Sequence, residues 1–386
     1  MTVRLEVAPA VISWIRNSVG ASEEEAARRA GTTVEQYRRF EAGEISPTIG
    51  QLRNLAKSFR QPFGLFLSAT TPEPRRPIPR DFRGHHGVAI PRNDTALSIQ
   101  LNTAERRRDI ALTLYDEIGE NPPVFEFQLR KGTDREDAGR QIRETLGLKY
   151  EAQRHWRTGE RSLSELKSLI EAAGILIGQF TRIDLDQARG VSLSEFPLPI
   201  IVLNPKDPAV ARTFTLMHEL VHISLRASGV CNIFEEYDRP PEEQALEIYC
   251  NAVAAAALVP ADVLSELPVI KSKSGIVEWT EDDIDATKRM FGVSRFVILR
   301  RLLDLGRTSL DYYKLRHVQW LAQLNAIPPN NDIIVPPHRR AISSSGKAFS
   351  RLVIRALHEN NITLSDAADY LGTKAKNIAA IEGEVF

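Results

Sequence analysis

The chain has 386 residues, 42% of them hydrophobic and 26% charged, with 50 basic side chains against 50 acidic ones. That is enough chain for two or three domains with real cores, and the zero net charge rules out a globally basic nucleic-acid binder, so any such role must be local. Two cysteines, Cys231 and Cys250, argue against a disulfide framework. No apolar run reaches membrane-spanning length, and Met1–Glu6 lacks the pattern of a secretory signal, so a soluble cytoplasmic protein is expected.

In chain order, residues 1–69 read as short, well-punctuated helices. In Ser22-Glu23-Glu24-Glu25-Ala26-Ala27-Arg28-Arg29-Ala30-Gly31-Thr32-Thr33, Ala27 is small enough for two helices to cross and Gly31 makes a turn. Tyr37 and Phe40 then face a core, and a helix over Ile49–Phe59 follows. This stretch resembles the helix-turn-helix of Cro/repressor-like (XRE) regulators. The resemblance implies a recognition helix over Thr33–Glu41, with Thr33, Gln36, Arg38 and Arg39 as the DNA-contact candidates. Against DNA stand Glu23, Glu24 and Glu25, which suit a helix N-terminus but repel phosphate. Residues 1–68 hold nine Arg and Lys against seven acids, a net of only +2. The alternative is a docking or dimerisation module, with Arg38 and Arg39 a solvated face.

Residues 70–93 form a linker rich in proline and arginine. Next, Asp94–Ile118, Asp134–Leu146 and Ser162–Ala173 read as amphipathic helices.

The segment Ala209–Arg226 carries His218-Glu219-Leu220-Val221-His222. Helix positions four apart share a face, so both imidazoles can reach one metal ion. Glu219, one step round the helix, is placed to take a proton from activated water, the arrangement of a zinc hydrolase that cuts peptide bonds. A bland reading competes: a core helix with two hydrogen-bonded histidines at its edge. The helix expected over Pro241–Leu258 offers a third ligand, and because Glu243 and Glu247 share a face, spacing leaves both open.

Taken together, Phe214-Thr215-Leu216-Met217-His218-Glu219-Leu220-Val221-His222 and the later run from Glu247 through Asn251, Ala254, Ala255 and Leu258 to Pro260 resemble the active-site signature of the ImmA/IrrE metallopeptidases. The likeness covers about residues 160 to 305, with Val253 standing where the family usually has Phe, and Gly174–Ile177, Gly190–Leu193 and Leu198–Asn204 resemble the short strands that precede the family's metal helix. It implies His218, His222 and Glu247 as ligands of Zn²⁺ (Mn²⁺ being the alternative metal) and Glu219 as the catalytic base. Tyr237 and Arg239, between the two motifs, are candidate donors to the oxyanion, with a plain loop role as their alternative. Cys250 reads as a small buried side chain.

Further helices are expected over Ala261–Leu267, Glu281–Phe291 and Ser294–Leu305. The expected organisation is a metallopeptidase domain over 94–310, a connector over 311–345 and a small helical unit over 346–386, the whole mainly α with a small β-sheet. In that last unit Ala368-Asp369-Tyr370-Leu371-Gly372-Thr373 repeats the spacing of Ala27 to Thr32, so it reads as a second minimal helix-turn-helix or as a chance helical hairpin. The resemblances imply limited cleavage of a partner protein, typically a transcriptional repressor, in stress, phage or mobile-element control. The rival reading is a non-proteolytic regulator or antitoxin that binds a toxin partner encoded nearby and represses its own operon; under either reading operator DNA and a second copy of the chain are further expected partners, and a membrane is not.

Overall fold

The computed structural model describes residues 4–71, 95–227, 229–231, 241–325 and 335–386. It divides into two compact units, Met1–Arg106 and Arg107–Phe386. The proline-rich linker therefore lies outside the described residues, save Thr70 and Thr71.

The first unit contains α1 (Pro9–Ser18), α2 (Glu23–Ala30), α3 (Val34–Glu41), α4 (Ile49–Phe59) and the start of α5 (Thr95–Ile118). Hydroxyls set the helix starts. Ser22, Thr33 and Thr48 accept from the backbone N–H three residues on, and Thr48 with Gln51 closes a capping box. Gly31 ends α2 at φ +74°, a left-handed conformation that costs glycine little, and the Thr32 N–H then bonds back to the Ala27 carbonyl at 3.0 Å. Ala27, Tyr37, Phe40, Leu52 and Phe59 are buried together as expected, and Arg16 forks onto Glu41 at 2.8 and 3.0 Å.

The second unit begins with α6 (Arg135–Leu146), α7 (Tyr150–Gln153) and α8 (Gly159–Ala172). A sheet of β1 (Leu176–Gln179), β2 (Gly190–Leu193) and β3 (Ile200–Leu203) follows, then α9 (Ala209–Ser224), β4 (Gly229–Cys231) and α10 (Pro241–Leu258). The strand order is β1-β3-β2-β4, with β1 parallel to β3 and β2 antiparallel to both neighbours. The fold is thus mainly helical with one small sheet, as the sequence implied, but β4 was not foreseen. Helix α9 packs on the sheet and beside α8 and α10, while α6 crosses α10 closely. A Cβ at Gly139 would lie 2.8 Å from the Ala257 nitrogen, so that crossing needs glycine.

Four helices complete the core: α11 (Ala261–Glu266), α12 (Pro268–Lys271), α13 (Glu281–Phe291) and α14 (Arg295–Asp304). The stretch 311–345, expected as a connector, holds most of α15 (Leu310–Asn325) and all of α16 (Pro337–Ser345). Trp320 of α15 is fully buried in the main core, and its indole N–H donates to Glu281 at 2.9 Å. Along the open side of β1, a Cβ on Gly346 would collide with the Ile177 carbonyl oxygen, and Arg107 holds the Ser344 carbonyl at 2.6 Å.

Beyond Gly346 come α17 (Lys347–His358), α18 (Leu364–Tyr370) and α19 (Ile378–Val385). They restate the first unit's helix pair at one constant offset. Thr363 caps α18 as Ser22 caps α2, Gly372 turns at φ +61°, and the Thr373 N–H reaches the Ala368 carbonyl at 2.9 Å. Ile378 and Ile381 are buried where Tyr37 and Phe40 are. Among the described residues no helix is long and apolar enough to cross a membrane.

Candidate metal centre

Helix α9 is buried on every side, with Leu216, Met217, Leu220, Val221 and Ile223 all in the core. Polar groups in such a helix carry a large desolvation cost unless something satisfies them. Yet His218, Glu219 and His222 are 0%, 0% and 2% exposed. The partner of the two imidazoles is Glu247 of α10. Its two oxygens lie 3.3 Å from His218 Nε2 and 3.2 Å from His222 Nε2, and the two Nε2 atoms are 3.0 Å apart. One nitrogen from each histidine and one Glu247 oxygen all fall within 4.8 Å of one another.

Two imidazole nitrogens and a carboxylate turned inward on one point form a donor set that, once deprotonated, suits a divalent cation. His218 Nδ1, on the far side of the ring from this cluster, is buried with no hydrogen-bond partner. Burial works against the Glu247 carboxylate, but the two histidines prevail and hold it well below the usual range. Burial likewise pulls His222 down, and Cys250 and Glu247 reverse this and take it well above the ordinary imidazole value. Burial pushes the Glu219 carboxyl up, opposed by the nearby histidines. These three residues are thus electrically coupled in a dry interior.

What brings Glu247 to α9 is the anchoring of α10. Three buried side chains take three consecutive carbonyls at its C-terminal end. Arg143 donates to Ala257 at 2.7 Å, Gln153 to Leu258 at 2.8 Å and Arg301 to Val259 at 2.8 Å. Arg301 also forks onto Glu136 at 2.7 and 2.8 Å. A helix C-terminus carries exposed carbonyls and partial negative charge, so two guanidiniums there both satisfy and attract it. Alanines along α10 let it lie close to its neighbours, and Val253, fully buried, fills a packing position.

Two further side chains adjoin the site: Ser192, which sequence reasoning passed over, and Cys250, buried as expected but nearer the histidines than that reading implied. The Ser192 hydroxyl of β2, fully buried, donates to Glu219 Oε2 at 2.6 Å. Cys250, one turn after Glu247 on the same face, places its sulfur 3.9 Å from His222 Nδ1. The signal for Cys250 lay in that spacing, and for Ser192 in a lone hydroxyl within an apolar strand. Tyr237 and Arg239 lie outside the described residues, as does the side chain of Glu243.

In the first unit, the DNA-contact candidates sit on and before α3. Thr33 is its N-cap, and Gln36 receives the Thr32 hydroxyl. Arg38 meets Glu23 at 2.6 Å and Arg39 meets Glu44 at 3.1 Å, with the arginine side chains 60% and 50% exposed. Exposed pairs of this kind are weak and screened by salt, so a phosphate can compete for either arginine.

Residues 171–303 match the family model of the IrrE N-terminal-like domain of the M78 peptidases, and residues 12–66 match that of the helix-turn-helix. The radiation response metalloprotease IrrE of Deinococcus deserti is 33% identical over 70 residues, 18% of this chain and 25% of that protein. The chain therefore matches about a quarter of that relative's length. The chain carries an IrrE-like metallopeptidase-family domain behind an XRE-type helix-turn-helix. That family implies a metal, and among the described residues His218, His222 and Glu247 are the group able to hold one.

Proposed function

We propose that the chain is a zinc-dependent regulatory peptidase that cleaves a partner protein, specifically a transcriptional repressor, in stress, phage or mobile-element control. The observation that carries this reading is the buried convergence of His218, His222 and Glu247 beside Glu219. His218, His222 and Glu247 would hold the ion. Two imidazoles and one carboxylate suit Zn²⁺ with an open fourth position, and Mn²⁺ is the alternative. When bound, the metal supplies a Lewis acid that polarises the scissile carbonyl and makes water acidic enough to attack near neutral pH.

The chain's own residues do the rest. Glu219 accepts the proton of the attacking water and later hands it to the leaving amine. Its burial shields that proton from bulk solvent, and the α10 clamp holds Glu247 against α9 while this happens. The first unit brings the enzyme to operator DNA through Arg38 and Arg39, whose surface pairs exchange readily for phosphate.

The test is incubation of the purified, zinc-loaded full chain with the repressor proteins encoded beside its gene, with Glu219→Gln in parallel. Discrete cleavage by the wild type and none by the variant is expected. Stable co-purification with a neighbouring gene product that neither form cleaves would replace this reading with that of a non-proteolytic regulator or antitoxin.

A further inference from the structure

Strand β2 carries a glycine and a serine two residues apart, and both face Glu219. Residues i and i+2 of a strand share a face. A Cβ on Gly190 would come within 2.5 Å of Thr215 Cγ2 and 3.3 Å of Glu219 Oε1. The glycine therefore opens the space that the Thr215 methyl and the Glu219 side chain occupy, the use of glycine where another element approaches a strand closely. Ser192 fills the next position on that face with a donor. Its hydroxyl, wholly buried, lies 2.6 Å from Glu219 Oε2, the short distance of a charge-assisted O–H···O⁻ bond. The other oxygen, Oε1, is buried with no partner. The flanking Val191 and Leu193 offer no polar atom beyond their backbone, and their backbones are fixed by pairing to Val202 and Ile200 of β3.

We propose that Ser192 is a positioning residue for Glu219: it pins one carboxylate oxygen to β2 and leaves the other unengaged for the proton of the attacking water. This rests on the peptidase reading for its purpose, though not for its geometry. A carboxylate with both oxygens pinned would be a poor base, and one with neither pinned would rotate about its terminal torsions. One donor on a rigid strand, paired with one glycine gap, gives a single orientation. The hydroxyl takes no part in the reaction and transfers no proton.

The experiment compares zinc-loaded full-length wild type, Ser192→Ala, Ser192→Thr and Glu219→Gln on fluorescein-labelled casein, alongside metal content and crystal structures of each. In Ser192→Ala, zinc content and KM should match the wild type while kcat falls about tenfold to a hundredfold, the usual size of a lost supporting contact. Ser192→Thr, which keeps the hydroxyl, should stay within about threefold of wild type. The Glu219 carboxylate should leave its wild-type position in Ser192→Ala crystals and hold it in Ser192→Thr. A Ser192→Ala enzyme with undiminished kcat, or one whose Glu219 carboxylate is unmoved, overturns the proposal. If wild type and Glu219→Gln cleave both casein and the neighbouring repressors equally, the peptidase reading fails instead, and the carboxylate positions alone decide whether Ser192 orients Glu219.

Discussion

Replacing Arg301 with methionine tests what holds α10 in register. The guanidinium is 1% exposed and makes three bonds, one to the Val259 carbonyl at 2.8 Å and two to Glu136 at 2.7 and 2.8 Å. Methionine has a comparable length and refills the space with little strain. The two halves of the loss differ in size. The Glu136 side chain is 39% exposed, so it rehydrates once released and its share is on the order of 1 kcal/mol or less. Val259 is fully buried, and its carbonyl left without a donor costs about 1–3 kcal/mol. The expected destabilisation is therefore about 1–4 kcal/mol, mostly from one carbonyl. Glu136→Gln, which removes only the exposed half, should cost less than about 1 kcal/mol. Urea unfolding read by tryptophan fluorescence measures both, since Trp156, Trp279 and Trp320 all lie in the unit that contains the clamp. An Arg301→Met midpoint equal to wild type at unchanged slope would refute the reasoning, as would a Glu136→Gln loss as large as that of Arg301→Met.

Elemental analysis should find about one zinc per chain, lost in His222→Ala and Glu247→Ala; a wild type that stays metal-free when zinc is supplied sinks the metal assignment. Glu219→Gln should retain zinc and fold yet abolish cleavage, since the amide cannot accept a proton; full complementation in cells by that variant would contradict it. His222 is pulled down by burial and raised further by Cys250 and Glu247, so near neutral pH the metal-free site holds a proton that an incoming ion must displace. Zinc binding should then release about one proton and weaken as pH falls; calorimetry in two buffers of different ionisation enthalpy measures this, and equal heats would rule it out. DNA binding by the full chain should weaken steeply with salt, fall with Arg38→Ala by about 1–3 kcal/mol and rise with Glu23→Gln; a mobility shift with no band at low salt would leave the first unit as a docking module.

Local chemistry made much of this fold legible. Ser22, Thr33, Asp134, Thr280 and Ser294 each cap a helix where the chain begins to repeat at helical spacing. The spacing of His218 and His222 put two imidazoles on one face, and the three ligand candidates do converge. Contacts closed from far along the chain were opaque. Nothing near Ser192 announces Glu219, which is 27 residues away. The α15 helix was missed because its outward face carries Leu315 and Val318, which blur the alternation that marks a buried side. The proline pairs around residue 330 then made the stretch look like a plain connector.

The second helix-turn-helix-like copy has a use that its own recognition helix does not suggest. Where α3 presents Arg38 and Arg39, α19 presents exposed Ala379 and Ala380, and from Ile378 to Val385 it contains no lysine or arginine. Its nearest basic side chains, Lys374 and Lys376, precede α19 at the positions of Thr33 and Glu35. What that copy does have is an address on the sheet. The α16–α17 corner covers the outward side of β1, a strand whose free backbone groups would otherwise invite pairing with another chain. Shortening the protein before Pro337 should therefore make the chain self-associate through an uncapped strand, which light scattering of the full and shortened chains would show.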